Sequence, residues 1–515
     1  MPQITPTIAS VRLIVGLEIH VELATRTKMF TRVGSPACAE FDDADPNTLI
    51  DPVVLGLPGA LPVLNKSAIE MAMLVGAALG CTIAPETKWD RKNYYYPDLP
   101  KGYQISQYDM PICFDGAVTM PDPADEAGDR TRTIGVIRAH LEEDAGKLLH
   151  DAPGGDAIDY SIVDYNRAGT PLLEIVTQPD FRTAEEVVAF ARHLRTICRF
   201  LGVTEGVMQK GHMRFEPNIN TILDLDDGRE IRTPIVEIKN LNSFRAVQRA
   251  IEHELEAQPK RWLETGVEMT AGAKTTRGWD DDRGVTVLQR EKEEAHDYRY
   301  LPDPDLIPLV IDDAWRERII ASLPELPHAR AERYQREFGL TGKEAHTLTD
   351  ERDLCFFYEA CVEAVGATGV QADVAGKQAA NMLLQAGAKR ANERGVGAWD
   401  LGITPEQVAG IIRLRLDGDI GSTAADDLFG ALCESDDDAR AAAERLNLLQ
   451  VKDEGALEAW CRAVIDDPAN AKSVEDVKAG KQAAIGRLIG GVMKASGGKA
   501  DAKAAREKLL ELLKA

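Results

Sequence analysis

VGLEIHVEL, running from Val15 to Leu23, alternates apolar and polar residues once past its first two positions. Leu17, Ile19, Val21 and Leu23 fall on one face, and Glu18, His20 and Glu22 on the other. That two-residue period is the mark of a half-buried β-strand. The same rhythm returns where Ile137, Ala139 and Leu141 interleave with Arg138, His140 and Glu142, and where Val236 and Ile238 interleave with Glu237 and Lys239. Each of these strands pairs an apolar face with an unusually charged one.

Helices lie between them. Thr183 followed by Glu186 reads as a capping box opening a helix whose apolar stripe is Val187, Ala191, Leu194, Cys198 and Leu201. Strands and helices do not alternate in a βαβ rhythm, so the class is α+β. The proline-rich run LPDPDLIP, Leu301 to Pro308, offers a boundary, after which strand signals nearly vanish. The expected division is a mixed domain over 1–308, a helical domain over 309–440 and a helical, basic tail over 441–515. The hexamer AGKQAA at Ala375–Ala380 and Ala479–Ala484 is too short to mark a repeat.

Bulk properties narrow the function classes. The 515 residues carry a formal charge of −24, unlike the basic footprint of most nucleic-acid binders. The last 45 residues reverse the sign, with ten Lys/Arg against five Asp/Glu. Eight cysteines stand apart with no CxxC pair, which fits scattered reduced thiols rather than a disulfide framework or zinc site. No signal peptide and no run of eighteen apolar residues is evident, so the expected location is the cytoplasm. Neither a Walker A loop nor a GxGxxG turn is present.

Chemistry concentrates on the charged strand faces. Glu18, His20 and Glu22 share one, and His140, Glu142 and Asp144 another, with Glu143 opposite unless the strand bulges. Arg214, Glu216 and Asn218 share a third, and Glu237 and Lys239 a fourth. Brought into one sheet, such carboxylates repel one another unless a cation sits among them. The pattern alone also suits a solvated outer face. A loop from Lys88 to Ile112 mixes Arg91, Lys92 and Lys101 with Tyr94, Tyr95, Tyr96 and Tyr103. Cations among aromatic rings suit phosphate neutralisation and base stacking, and equally a turn-rich surface loop. Lys239 and Asn240 in EIKNLNSF, and His296, Asp297 and Arg299 in EEAHDYRYLPDPDL, form two further polar clusters.

These stretches also carry a family likeness. VGLEIHVEL, LGLPGALPVLN, RKNYYYPDLPKGYQISQYDMPI, HLEEDAGKLLH, DYNRAGTPLLEIVTQPD, EIKNLNSF and EEAHDYRYLPDPDL occur in the order found in the B subunits (GatB) of the aspartyl/glutamyl-tRNA amidotransferases, and the chain resembles that family over most of its length. The resemblance implies a cradle-like domain of the glutamine synthetase and guanido kinase type, followed by helical domains. It implies a ligase that uses ATP and Mg²⁺, with Mn²⁺ as an alternative, to phosphorylate Glu or Asp misacylated on tRNA. Ammonia would come from a partner amidase, the A subunit, in a heterotrimer completed by a small C subunit. Carried onto this sequence, the metal positions are Glu18, His20 and one glutamate of HLEED. Alternation favours Glu142 and keeps Glu143 as a candidate. Glu216 and Glu237 stand as neighbouring catalytic groups. Arg91, Lys92, Tyr94, Lys101, Lys239, Asn240, His296 and Arg299 are candidates for ATP and substrate. In the tail, Lys494, Lys499, Lys503 and Lys508 are candidate phosphate contacts.

The sequence departs from the family in places. Thr31, Val33, Asp51 and Val54 stand where many members have four zinc-binding cysteines, so zinc is expected to be absent. KGHMRFE, Lys210 to Glu216, replaces the usual EGSMRCD. Leu301 replaces a Phe, and GRLIGGVMK is a looser form of the tail motif. Two other readings are a ligase or guanido-type kinase acting on a small molecule, and a tRNA-binding scaffold without activity. The first would have little use for a basic helical tail, and retention of Glu18, His20 and Glu142 argues against the second.

Overall fold

The computed structural model describes residues 7–125, 130–151, 157–270, 272–291, 298–450, 454–479, 481, 484–498 and 500–514. They form two compact units that divide after Ala329.

The first unit is built on a ten-stranded sheet. In chain order its strands are β1 (Ile8–Glu22), β2 (Thr82–Ile83), β3 (Cys113–Pro121), β4 (Thr131–Glu143), β5 (Pro171–Thr177), β6 (Met213–Leu225), β7 (Glu230–Arg232), β8 (Val236–Lys239), β9 (Thr275–Asp280) and β10 (Val285–Glu291). Their spatial order is β10-β9-β8-β6-β1-β5-β4-β3-β2, with β7 beside β6. Every pairing is antiparallel except β8 with β9. β1 is central. Its apolar residues Leu13, Val15, Leu17, Ile19 and Val21 are buried in the core shared with helices α1 (Lys66–Ala78), α2 (Ala184–Phe200) and α3 (Phe244–Thr265). The helices cover one face of the sheet, so the charged residues of β1 point to the other.

The expected stripe of α2 is there: Val187, Ala191, Leu194 and Cys198 are wholly buried. Its cap differs in one bond. Thr183 Oγ1 accepts from the Glu186 amide at 3.2 Å, but Glu186 Oε2 accepts from the amide of Arg182, one residue earlier than a capping box requires. Arg132 also holds Glu186 at 2.9 Å, which draws the carboxylate toward the sheet.

The proline run lies inside the first unit. Leu301–Pro302 pairs with Asp90–Asn93, and Leu309–Val310 with Glu86–Thr87, both as short edge pairings. An edge tolerates proline because the missing amide would face outward. Beyond it, helix α4 (Asp313–Ala321) docks on α1, where Trp315 Nε1 donates to Glu70 at 2.9 Å.

The second unit is helical. Tyr334, Phe338 and Tyr358 pack as an aromatic trio with centroids 5.0 to 6.1 Å apart. The tail has its own core of Cys461, Val464, Leu488, Val492, Ala505, Leu509 and Leu513. No helix among the described residues is long and apolar enough to cross a membrane.

Candidate functional site

Strand register assembles the site. Glu18 faces Glu216 across β1 and β6, and His20 faces Glu174 across β1 and β5. Glu174 in turn faces His140 on β4, and Asn218 on β6 faces Glu237 on β8. Five adjacent strands thus line up ionisable groups on the face away from the helices. They line a cavity of about 350 Å³ with Glu18, His20, Glu174, Glu216, Glu237 and Lys239 in its walls.

The acids fall into two groups. In one, ligand atoms of His20, Glu142 and Glu174 lie within 4.8 Å of one another; in the other, those of Glu18, Glu216 and Glu237 do. His20 Nε2 is 3.4 Å from Glu174 and 3.9 Å from Glu142. His20 Nδ1 is buried and has no hydrogen-bond partner among the described residues. Burial disfavours the His20 cation, yet the bond to Glu174 and the charge of Glu216 outweigh it and lift the imidazole to about 9. His140, buried more deeply against Arg138 and Lys92, is pushed down to about 4. Burial, then the charge of Glu174, raises Glu18, while burial raises Glu142 against the pull of Lys92.

The second group already has counter-charges. Lys239 Nζ bridges Glu216 at 2.7 Å and Glu237 at 3.0 Å, and Lys274 holds Glu237 at 2.7 Å. Against the cost of burial, Lys239 and Lys274 hold Glu237 down to about 2. Asn218 Nδ2 donates to Glu18 at 2.9 Å. In the first group Lys92 stands 4.0 Å from Glu142, and the His20 imidazole is the partner of Glu174. Two carboxylates and the imidazole Nε2 that faces them suit a small divalent cation, while the unbonded Nδ1 faces Glu216 of the other group, 3.9 Å away. Among the described residues, Glu174 groups with His20 and Glu142, while Glu18, expected beside them, groups with Glu216 and Glu237.

Other expected residues scatter. Glu143 points to the opposite face of β4, where Lys101 pairs with it and the Ile105 amide donates to it at 2.9 Å. Glu143 and Lys101 therefore stand outside the cavity. Arg91 is tied to Asp303 at 2.7 Å and lies over the Tyr103 ring. Lys92 does line the cavity, while Tyr94 lines a neighbouring pocket. Asn240, at a positive φ of 65°, borders a second cavity of about 670 Å³ that shares Glu216 and Lys239 with the first. Arg299 sits over Tyr95, 5.9 Å from the ring centroid. His296 and Lys499 lie outside the described residues. Lys494 and Lys503 are on tail helices, and Lys508 pairs with Glu511 at 3.0 Å.

The departures also find local partners. Lys210 pairs with Asp42 at the rim of the second cavity. Thr31 hydrogen-bonds Asp51, whose other oxygen accepts from the Val54 amide at 2.9 Å. Two residues escaped sequence reasoning. Glu174 sits in PLLEIVT among apolar neighbours, its one signal being a lone carboxylate within a strand-like run. Lys274 follows a Gly/Ala-rich stretch with no motif.

Comparison with known proteins shows the family. Residues 13–317 match the family model described as the GatB/GatE catalytic domain, and residues 363–513 match one described as the GatB domain. The chain is 44% identical over 501 residues to the aspartyl/glutamyl-tRNA(Asn/Gln) amidotransferase B subunit of Rhodopirellula baltica, covering 97% of this chain and 96% of that one. It is 43% identical to the protein of that name from Thermomicrobium roseum and 42% to that from Bacillus velezensis, with 97% of this chain and 98% of each relative covered. The fold sets a row of ionisable, largely acidic side chains on the open face of a sheet within the stretch that matches the catalytic-domain model. The chain belongs to the GatB/GatE family.

Proposed function

We propose that this chain activates the side-chain carboxylate of Glu or Asp misacylated on tRNA(Gln) or tRNA(Asn) and lets ammonia convert it to the amide. The carboxylate oxygen takes the terminal phosphoryl group of ATP and ADP leaves. Ammonia then attacks the acyl carbon, phosphate departs and a proton is lost. Gln-tRNA(Gln) or Asn-tRNA(Asn) results. The reading rests most on one observation: His20, Glu142 and Glu174 bring ligand atoms within 4.8 Å of one another on the sheet face beside the acidic cavity, with Lys92 4.0 Å from Glu142.

Phosphoryl transfer between two anions needs positive charge placed in advance. His20, Glu142 and Glu174 would hold Mg²⁺, or Mn²⁺ given the imidazole; when bound, it offsets the repulsion between triphosphate and carboxylate. Lys92, Lys239 and Lys274 supply fixed positive charge from three other strands and loops of the same cavity. Asn218 and Lys239 orient Glu18 and Glu216 at its floor. Zinc has no place in this scheme, because Thr31, Val33, Asp51 and Val54 offer no thiolate.

The sheet with helices on one face supports a cradle of the glutamine synthetase and guanido kinase type. Ammonia would come from the amidase, or A, member of a heterotrimer, with a small C member completing the complex, in the cytoplasm. The basic tail would grip the body of the tRNA. The test is to incubate the assembled complex with ATP, glutamine and each misacylated tRNA, then identify the amino acid on the tRNA. ATP-dependent conversion of Glu to Gln or Asp to Asn is expected. Absence of conversion, or ATP turnover indifferent to the tRNA, rules the proposal out.

A further inference from the structure

A chain of tyrosines runs from a neighbouring pocket, lined by Tyr94 and Tyr96, into the acidic cavity, lined by Tyr298, Tyr300 and Tyr108. Tyr96 meets Tyr94 edge-on at 6.1 Å, Tyr94 meets Tyr298 at 6.1 Å, and Tyr298 meets Tyr300 at 6.1 Å. The chain ends in a parallel pair, Tyr300 and Tyr108, with centroids 4.3 Å apart and planes 14° from parallel. Tyr108 lines the cavity and is 42% exposed.

The backbone beneath that ring is fixed. The Tyr108 amide donates to Asp90 Oδ2 at 3.1 Å, and its carbonyl accepts from Arg138 Nη1 at 3.4 Å. The preceding residue, Gln107, is buried and ties three segments together. Its Nε2 donates to Thr87 Oγ1 at 2.6 Å, and its Oε1 accepts from the amides of Ile112 at 3.2 Å and Leu141 at 2.9 Å. A rigid support with an exposed aromatic face loses little entropy when a flat ligand settles on it. The cations nearby fit the rest of such a ligand. Arg138 lines the same cavity, and its Nε is buried without a hydrogen-bond partner among the described residues. Lys92 stands over the Tyr298 ring at 5.2 Å. An aromatic face beside a guanidinium and an ammonium suits a nucleobase joined to phosphates.

We infer that the exposed face of Tyr108, backed by Tyr300, stacks on an adenine ring in this cavity. The inference rests on the proposed function, because both of its substrates carry adenine: ATP itself, and the 3′-terminal nucleotide of the tRNA. The stacking chemistry is the same for either.

The test uses the assembled complex and measures KM for ATP and for misacylated tRNA separately, in Tyr108→Ala, Tyr108→Phe and the unaltered protein. Amidation by the unaltered complex establishes the underlying reaction first, so failure there counts against the proposed function and not against the stacking. Base–aromatic stacking predicts that Tyr108→Ala raises one KM about tenfold, or about 1.4 kcal/mol. Tyr108→Phe, which keeps the ring face and loses only the hydroxyl, recovers most of that loss. A rise in KM for ATP alone assigns the platform to the nucleotide. A rise for tRNA alone assigns it to the terminal adenosine. If neither KM moves in Tyr108→Ala, or if Phe does no better than Ala, the inference is overturned. Binding of 1,N⁶-ethenoadenosine triphosphate to the full chain gives a second readout. Its fluorescence should respond less in Tyr108→Ala than in Tyr108→Phe if the nucleotide is the occupant.

Discussion

His20 on β1 and Glu174 on β5 occupy facing positions of neighbouring strands, with Nε2 3.4 Å from Oε2. This contact puts His20 in the group with Glu142 and leaves Glu18 with the lysine-held acids. It follows that the two groups should respond differently to a divalent ion. In electron paramagnetic resonance titrations with Mn²⁺, Glu174→Gln should weaken binding at least tenfold, whereas Glu237→Gln should shift it by less than about threefold. Equal losses in both variants would place the ion between the groups instead.

Lys28 gives a pH dependence that can be read without the site. It is fully buried, and Nζ donates to the carbonyls of Leu49 and Ala168 at 2.6 Å, with Tyr165 at 3.4 Å. Burial pushes its ammonium from 10.5 down to about 7. The unfolded chain therefore holds more protons than the folded one between those values, so this contribution to stability rises with pH from about 7 to 10.5. Below 7 both states are charged, and the full cost of burial is present. Each unit of the window is worth about 1.4 kcal/mol. Urea unfolding from pH 7 to 9.5 should show a stability gain that Lys28→Met lacks. Parallel profiles for the two proteins would refute it.

Gly376 is a packing constraint in the second unit. A Cβ built there would lie 2.3 Å from Cγ of Phe338, in the aromatic trio. Gly376→Ala should cost about 1–3 kcal/mol through overpacking. A differential scan of the unfolding transition checks this, and an unchanged or raised midpoint speaks against it.

How far the sequence anticipated these features depends on what each one rests on. β1 was readable because the two-residue period is a property of the strand alone, and the same rule placed Glu143 opposite Glu142. The pattern could not show that β4 carries a register shift against β5 between Val176 and Thr177, which leaves Ile137 39% exposed despite its place in the apolar series. Nor could it group the ligands. Whether Glu18 or Glu174 joins His20 depends on register between strands far apart in sequence. Lys28 and Lys274 carry no local signal, because each is defined by partners that folding brings from elsewhere.

The tail makes a separate claim. Its helices have their own core, so its removal should leave the catalytic unit folded. Deleting residues 449–515 should raise KM for misacylated tRNA severalfold and flatten its salt dependence, because phosphate contacts release counterions. Unaltered KM and salt slope in the truncated protein at physiological salt would show the tail to be inert.

The most direct test of the central claim is the rate of ATP-dependent amidation of misacylated tRNA by the assembled complex carrying Glu142→Gln together with Glu174→Gln. Circular dichroism and tRNA affinity are measured alongside. The account predicts a fall of about 100-fold or more with fold and tRNA binding retained, since both carboxylates of the proposed cation seat are gone. Amidation within a few-fold of the unaltered complex would contradict it.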